Sequence, residues 1–96
     1  MSEQPNIMKE LLFIVYNNEP IILSQVIEQT KKKLEGQADW KGNLRVEVLS
    51  TYFQAKENGY LQVSARELRR GEKEGDNVTA SLNQRGLKYL QEEKAI

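Results

Sequence analysis

At 96 residues, with 14 basic and 14 acidic side chains cancelling to zero net charge, the chain has the size of one domain with a single modest core. Its hydrophobic fraction of 39% and charged fraction of 29% argue against wholesale disorder, and no apolar run approaches the roughly 20 residues that span a bilayer. Cysteine and histidine are both absent, which excludes disulfides, Cys/His zinc sites, Cys-His nucleophile pairs and Ser-His-Asp triads.

The first helix is expected to start near Pro5, since proline is favoured at the first helical position. Ile7, Met8, Leu11, Leu12, Ile14 and Val15 then recur at helical spacing. Asn17-Asn18-Glu19-Pro20 ends the helix, because the residue before a proline is pushed out of the α region. Ile21-Ile22-Leu23 is too brief for a helix and suits one extended strand or a buried connector. Ser24 is placed to cap a second helix with Val26, Ile27, Thr30 and Leu34 as its inner stripe and Gly36 as its stop.

A polar connector, Gln37 to Gly42, contains Trp40 and Lys41. Asn43 then caps a third helix running from Leu44 to about Asn58. Val46, Leu49 and Phe53 form one stripe of it, widened by Leu44, Val48, Tyr52 and Ala55, and Phe53 and Leu49 are expected in the core. Glu47, Ser50, Thr51 and Gln54 gather on the opposite side, and Asn58-Gly59 is a strong stop. From there the period changes to two. Leu61, Val63 and Ala65 alternate inward, as do Val78, Ala80 and Leu82, around a charged loop near Gly71 to Gly75; this predicts an antiparallel hairpin over Tyr60 to Leu82. Asn83 is placed to cap a closing helix with Leu87 and Leu90 inside. Helices with one late hairpin make a small α+β domain.

The segment Lys56-Glu57-Asn58-Gly59-Tyr60-Leu61 is similar to the exit of a recognition helix into a wing in the winged helix-turn-helix family. Val78-Thr79-Ala80-Ser81-Leu82-Asn83-Gln84-Arg85-Gly86-Leu87-Lys88-Tyr89-Leu90 resembles that family's second wing strand running into a helix. The resemblance runs from Ile7 to Leu90, and the layout is similar to small bacterial PadR-like regulators. It implies three helices, a two-stranded β-wing and a C-terminal helix in a protein that binds double-stranded DNA as a homodimer and regulates transcription. The first and last helices would then be the dimer surface.

On that reading the residues expected to meet DNA fall into three groups. Lys31, Lys32 and Lys33, with Lys41, are the densest positive patch; they suit phosphate contact and equally a solvated helix end stabilised by its dipole. Ser50, Thr51 and Gln54 are placed to read base edges, with Arg45 near the helix start reaching phosphate or guanine. Arg66, Arg69 and Arg70 on the wing are placed to touch the backbone or minor groove, although Glu67, Glu72, Glu74 and Asp76 offset them. Trp40, Tyr52 and Tyr60 suit core or interface packing better than a stacking platform.

Glu72 to Asn77 is only faintly like a calcium loop, since its acids lack the required alternation. No metal, cofactor or catalytic residue is expected, and the adjacent Glu92-Glu93 pair faces two ways. The polar start, Met1 to Asn6, lacks a signal-peptide layout, so a cytoplasmic protein is expected. Zero net charge and Glu47 favour a second reading, a protein-interaction module on the same scaffold.

Overall fold

A computed structural model describes residues 6–36 and 43–96. Pro5, the expected start of the first helix, and the connector with Trp40 and Lys41 lie outside the described residues. Four helices and a three-stranded antiparallel sheet follow one another as α1 (Ile7–Asn18), β1 (Ile21–Ile22), α2 (Leu23–Glu35), α3 (Leu44–Glu57), β2 (Leu61–Ala65), β3 (Val78–Leu82) and α4 (Gln84–Glu92).

α1 is capped by Asn6, whose side chain accepts a hydrogen bond from the Lys9 amide at 3.1 Å. It ends at Asn18, with Glu19 already extended ahead of Pro20. Leu11, Leu12, Ile14 and Val15 are buried and form the centre of the core. α2 lies against α1 with the expected stripe, Val26, Ile27, Thr30 and Leu34, all buried. Its start differs from expectation. The strand β1 runs straight into Leu23, so Ile22 occupies the cap position and Ser24 is already inside the helix. The Ser24 hydroxyl donates instead to Asp76 at 2.8 Å, which helps hold that carboxyl below the usual carboxylate range.

α3 carries the main correction. Asn43 caps it as expected, accepting from the amides of Arg45 and Val46. The buried stripe, however, is Leu44, Val48, Tyr52 and Ala55. Val46 is 57% and Phe53 51% exposed, whereas Tyr52 is only 2% exposed. Leu49 is half-buried at the margin. The two stripes lie side by side on one helix, and the docking of α1 and α2 selects the one containing Tyr52. Burial pushes the Tyr52 hydroxyl pKa up.

The hairpin forms in the expected place, with Leu61 opposite Leu82, Val63 opposite Ala80 and Ala65 opposite Val78. The expected two-stranded wing is nevertheless part of a three-stranded sheet of order β1-β3-β2. Ile21 pairs with Ala80 and Ile22 with Thr79, so β3 is a central strand. The row Ile21–Ala80–Val63 faces inward, where Ile21 and Ala80 are buried. The row Ile22–Thr79–Ser64 faces water, as one face of an antiparallel sheet commonly does.

α4 returns across the start of β2. Asn83 stands at its cap position, but its side-chain amide donates to the Gly59 carbonyl at 3.2 Å. The Asn83 backbone amide donates to the Tyr60 carbonyl at 2.9 Å. Gly86 lets the helix come this close: a Cβ there would collide with the Tyr60 carbonyl oxygen. Gly59, at φ 76°, supplies the left-handed turn between α3 and β2. Leu90 is buried and Leu87 partly so. None of the described helices is long and apolar enough to cross a membrane.

Candidate nucleic-acid interface

The cations at the end of α2 are drawn into the fold to different degrees. Lys33 meets the Glu10 carboxylate at 2.6 Å and lies 4.7 Å above the centre of the Phe13 ring, joining α2 to α1. Lys31 pairs with Glu35 one turn on, at 3.7 Å. Lys32 is exposed and has no ion pair among the described residues. Arg45 at the start of α3 reaches back to Glu28 of α2 at 3.8 Å. Of the three lysines at the end of α2, only Lys33 joins two helices; Lys31 is paired within α2 and Lys32 is left outward.

The polar side of α3 is where the sequence places it. Ser50 and Gln54 are exposed. Thr51 is half-buried, and its hydroxyl donates to the Glu47 carbonyl at 2.8 Å, one turn back along the helix. Beside this strip run the exposed Val46 and Phe53, so the outward surface of α3 is polar along one edge and apolar along the other. The ring of Phe53 meets Tyr52 edge-on at 5.6 Å.

The loop between β2 and β3 is tightly ordered by its own charges. The Arg66 guanidinium grips the Glu72 carboxylate with both terminal nitrogens, one at 2.7 Å. The Arg69 amide donates to the same carboxylate at 2.7 Å. These contacts hold the Glu72 pKa down at about 2 and raise that of Arg66. The Asn77 side chain donates to the Arg66 carbonyl at 2.6 Å. The far side of the loop is fixed to α2 by the Ser24–Asp76 bond and by Gly75, packed against Ser24. What this frame leaves outward is Leu68, 48% exposed, followed by Arg69 and Arg70, both exposed and without an ion pair among the described residues.

Eight cations were expected to face DNA, of which Lys41 lies outside the described residues. Four of them, Lys31, Lys33, Arg45 and Arg66, are ion-paired within the chain, which leaves Lys32, Arg69 and Arg70. Lys32 stands at the end of α2 and the two arginines at the hairpin tip. Sequence reasoning missed Leu68, although a lone apolar residue in a charged loop was a readable signal. It also missed the pairing of Tyr60 with Tyr89, ring centres 5.2 Å apart, whereas Tyr52 is core as expected. Among the described residues no group of three or more acidic side chains is arranged to hold a metal ion. No family model, curated protein or solved structure matches this chain.

Proposed function

We propose that the chain is a winged-helix protein that binds double-stranded DNA and acts without catalysis as a bacterial transcriptional regulator in the cytoplasm. The order α1-β1-α2-α3-β2-β3, with β1 completing the sheet of the hairpin, is compatible with that fold. The observation that carries the reading is the hairpin tip. Leu68, Arg69 and Arg70 project from a loop held by the Arg66–Glu72 grip and anchored to α2. Arginines beside an apolar side chain on such an arm suit a minor groove or a phosphate backbone. Ser50 and Gln54 on α3 supply hydrogen-bonding groups for base edges.

A neutral domain with so few free cations binds weakly alone, so two copies reading two half-sites are part of the proposal. The core-facing residues of α1 and α4, including Leu11, Val15 and Leu90, are consumed by the domain's own core and do not provide the dimer surface. The exposed Val46 and Phe53 favour a second reading, in which α3 docks against another protein.

Fluorescence polarisation with duplexes from the gene's own upstream region, at low salt, separates the two. The DNA reading expects affinity that falls steeply with salt, and a uniform loss across sequences for the double substitution Arg69→Ala, Arg70→Ala. Gln54→Ala should alter sequence preference more than overall affinity. Absence of binding at low salt sinks the DNA reading in favour of the protein-docking one.

A further inference from the structure

Several charged side chains among the described residues stand outside the ion pairs, and one group of them gathers on a single helix. Arg85, Lys88, Tyr89 and Glu92 recur at i, i+3, i+4 and i+7, on one face of α4. That face lines an open cleft of about 410 Å³ whose other wall is Asn58 at the end of α3 and Tyr60 at the start of β2. Neither cation nor Glu92 forms an ion pair among the described residues. Between the charges lie the paired rings of Tyr60 and Tyr89, tilted 35° to one another. The cleft is built rigidly, because Gly86 and Asn83 fasten α4 to the backbone of residues 59 and 60. The Tyr89 hydroxyl is fixed too, accepting from the Asn6 side-chain amide at 2.9 Å.

The arrangement is polar along its length. Two cations occupy the first turn and a half of α4, an aromatic pair the middle, and a carboxylate the far end. Seven residues of α-helix separate Arg85 from Glu92, a rise of about 10 Å at 1.5 Å per residue. A ligand that satisfies all three parts carries an anionic group at one end, a flat ring in the middle and a hydrogen-bond donor at the other end. The volume lies within the roughly 300–1,000 Å³ of small-molecule sites.

We infer that the cleft between the end of α3, the start of β2 and α4 binds a free nucleoside monophosphate whose base carries an exocyclic amino group. The phosphate lies between Arg85 and Lys88, since guanidinium and ammonium groups both recognise phosphate oxygens. The base lies against the tyrosine pair, and its amino group donates to Glu92, as adenine and cytosine can and uracil cannot from the same position. This site is separate from the hairpin tip and the outward face of α3, and it stands whether or not the protein binds DNA.

Titrating AMP, CMP, UMP and inorganic phosphate into the 15N-labelled full chain tests the assignment by amide chemical shifts. Saturable changes are expected at Asn58, Gly59, Tyr60 and residues 85–92, with AMP and CMP binding several-fold more tightly than UMP or phosphate. Arg85→Gln and Lys88→Gln should each weaken AMP by about tenfold, the scale of one charge-assisted hydrogen bond. Both positions are exposed, so spectra unchanged elsewhere will show that the fold is intact. Glu92→Ala should level AMP and UMP. The inference is overturned if millimolar nucleotide leaves the cleft amides unmoved, or if phosphate alone binds as well as AMP. It is likewise overturned if a short single-stranded oligonucleotide binds there more than tenfold more tightly than AMP, since the ligand is then a nucleic-acid strand.

Discussion

α2 and α3 both pack against α1, yet the two helices settle their orientation differently. α2 has one apolar stripe and a charged remainder, so only one rotation about its axis removes Val26, Ile27 and Leu34 from water. α3 has apolar side chains around more than half of its circumference, and more than one rotation would bury a respectable set. The choice falls to shape. Tyr52, Val48 and Ala55 meet α1, α2 and β2, and Val46 and Phe53 are left facing water. An amphipathic helix carries its own orientation, whereas a broadly apolar one is oriented by its neighbours and leaves a sticky remainder.

Substitutions on the two helices and their neighbours separate these cases. Tyr52→Ala removes the largest fully buried side chain among the described residues and should cost about 3–5 kcal/mol in urea or thermal unfolding. Leu34→Ala on α2 should cost about 2–5 kcal/mol, since it too leaves a cavity under a helix. Gly86→Ala tests the neighbours rather than either helix. Its methyl group would sit against the Tyr60 carbonyl and force α4 outward, at a cost of about 1–3 kcal/mol. Thr30 is fully buried, and its hydroxyl has no hydrogen-bond partner among the described residues. Thr30→Val keeps the shape and should be neutral or stabilising by up to about 1 kcal/mol. Phe53→Ala should fall within about 0.5 kcal/mol of the parent, the usual range for an exposed site. A loss of several kcal/mol there would mean that the other stripe of α3 is the docked one.

The hairpin adds a pH signature. Glu72 is held at about 2 by Arg66 and the Arg69 amide, below its value in an unfolded chain. Its contribution is therefore complete above the ordinary carboxylate range and is lost as pH falls through about 2. Glu72→Gln should melt at a lower temperature than the parent near pH 7, and the gap should close as pH falls toward 2. A gap that stays constant would show that the Arg66 grip does not stabilise the loop.

These differences mark what was legible in the sequence. Where one pattern had one solution, as in α1, α2 and the strands at Leu61, Val63 and Ala80, the residues alone specified the element and its inner face. Ala65, expected inward, is exposed because β2 has run past the core by then. The error at Phe53 arose because periodicity identifies stripes but does not rank two adjacent ones. The Ser24 cap failed because the adjoining strand runs directly into the helix, a tertiary pairing with residues almost sixty positions away. At the candidate interface the cations were legible as types and positions. Their partners were not, because Glu10 for Lys33 and Glu28 for Arg45 become neighbours only when helices pack.

The pairing of Ile21 with Ala80 has a consequence for the chain as it is made. Synthesis runs from the N-terminus at about 5–20 residues per second, so β1 waits roughly 3–12 seconds for its partner strand to appear. α2, which follows β1, is made during that interval, and Ile21, which is buried in the finished fold, has no strand beside it. Until β3 is made, the edge of β1 that pairs with it has no partner strand. The sheet can close only when β3 emerges, because β3 is the strand that both β1 and β2 pair with.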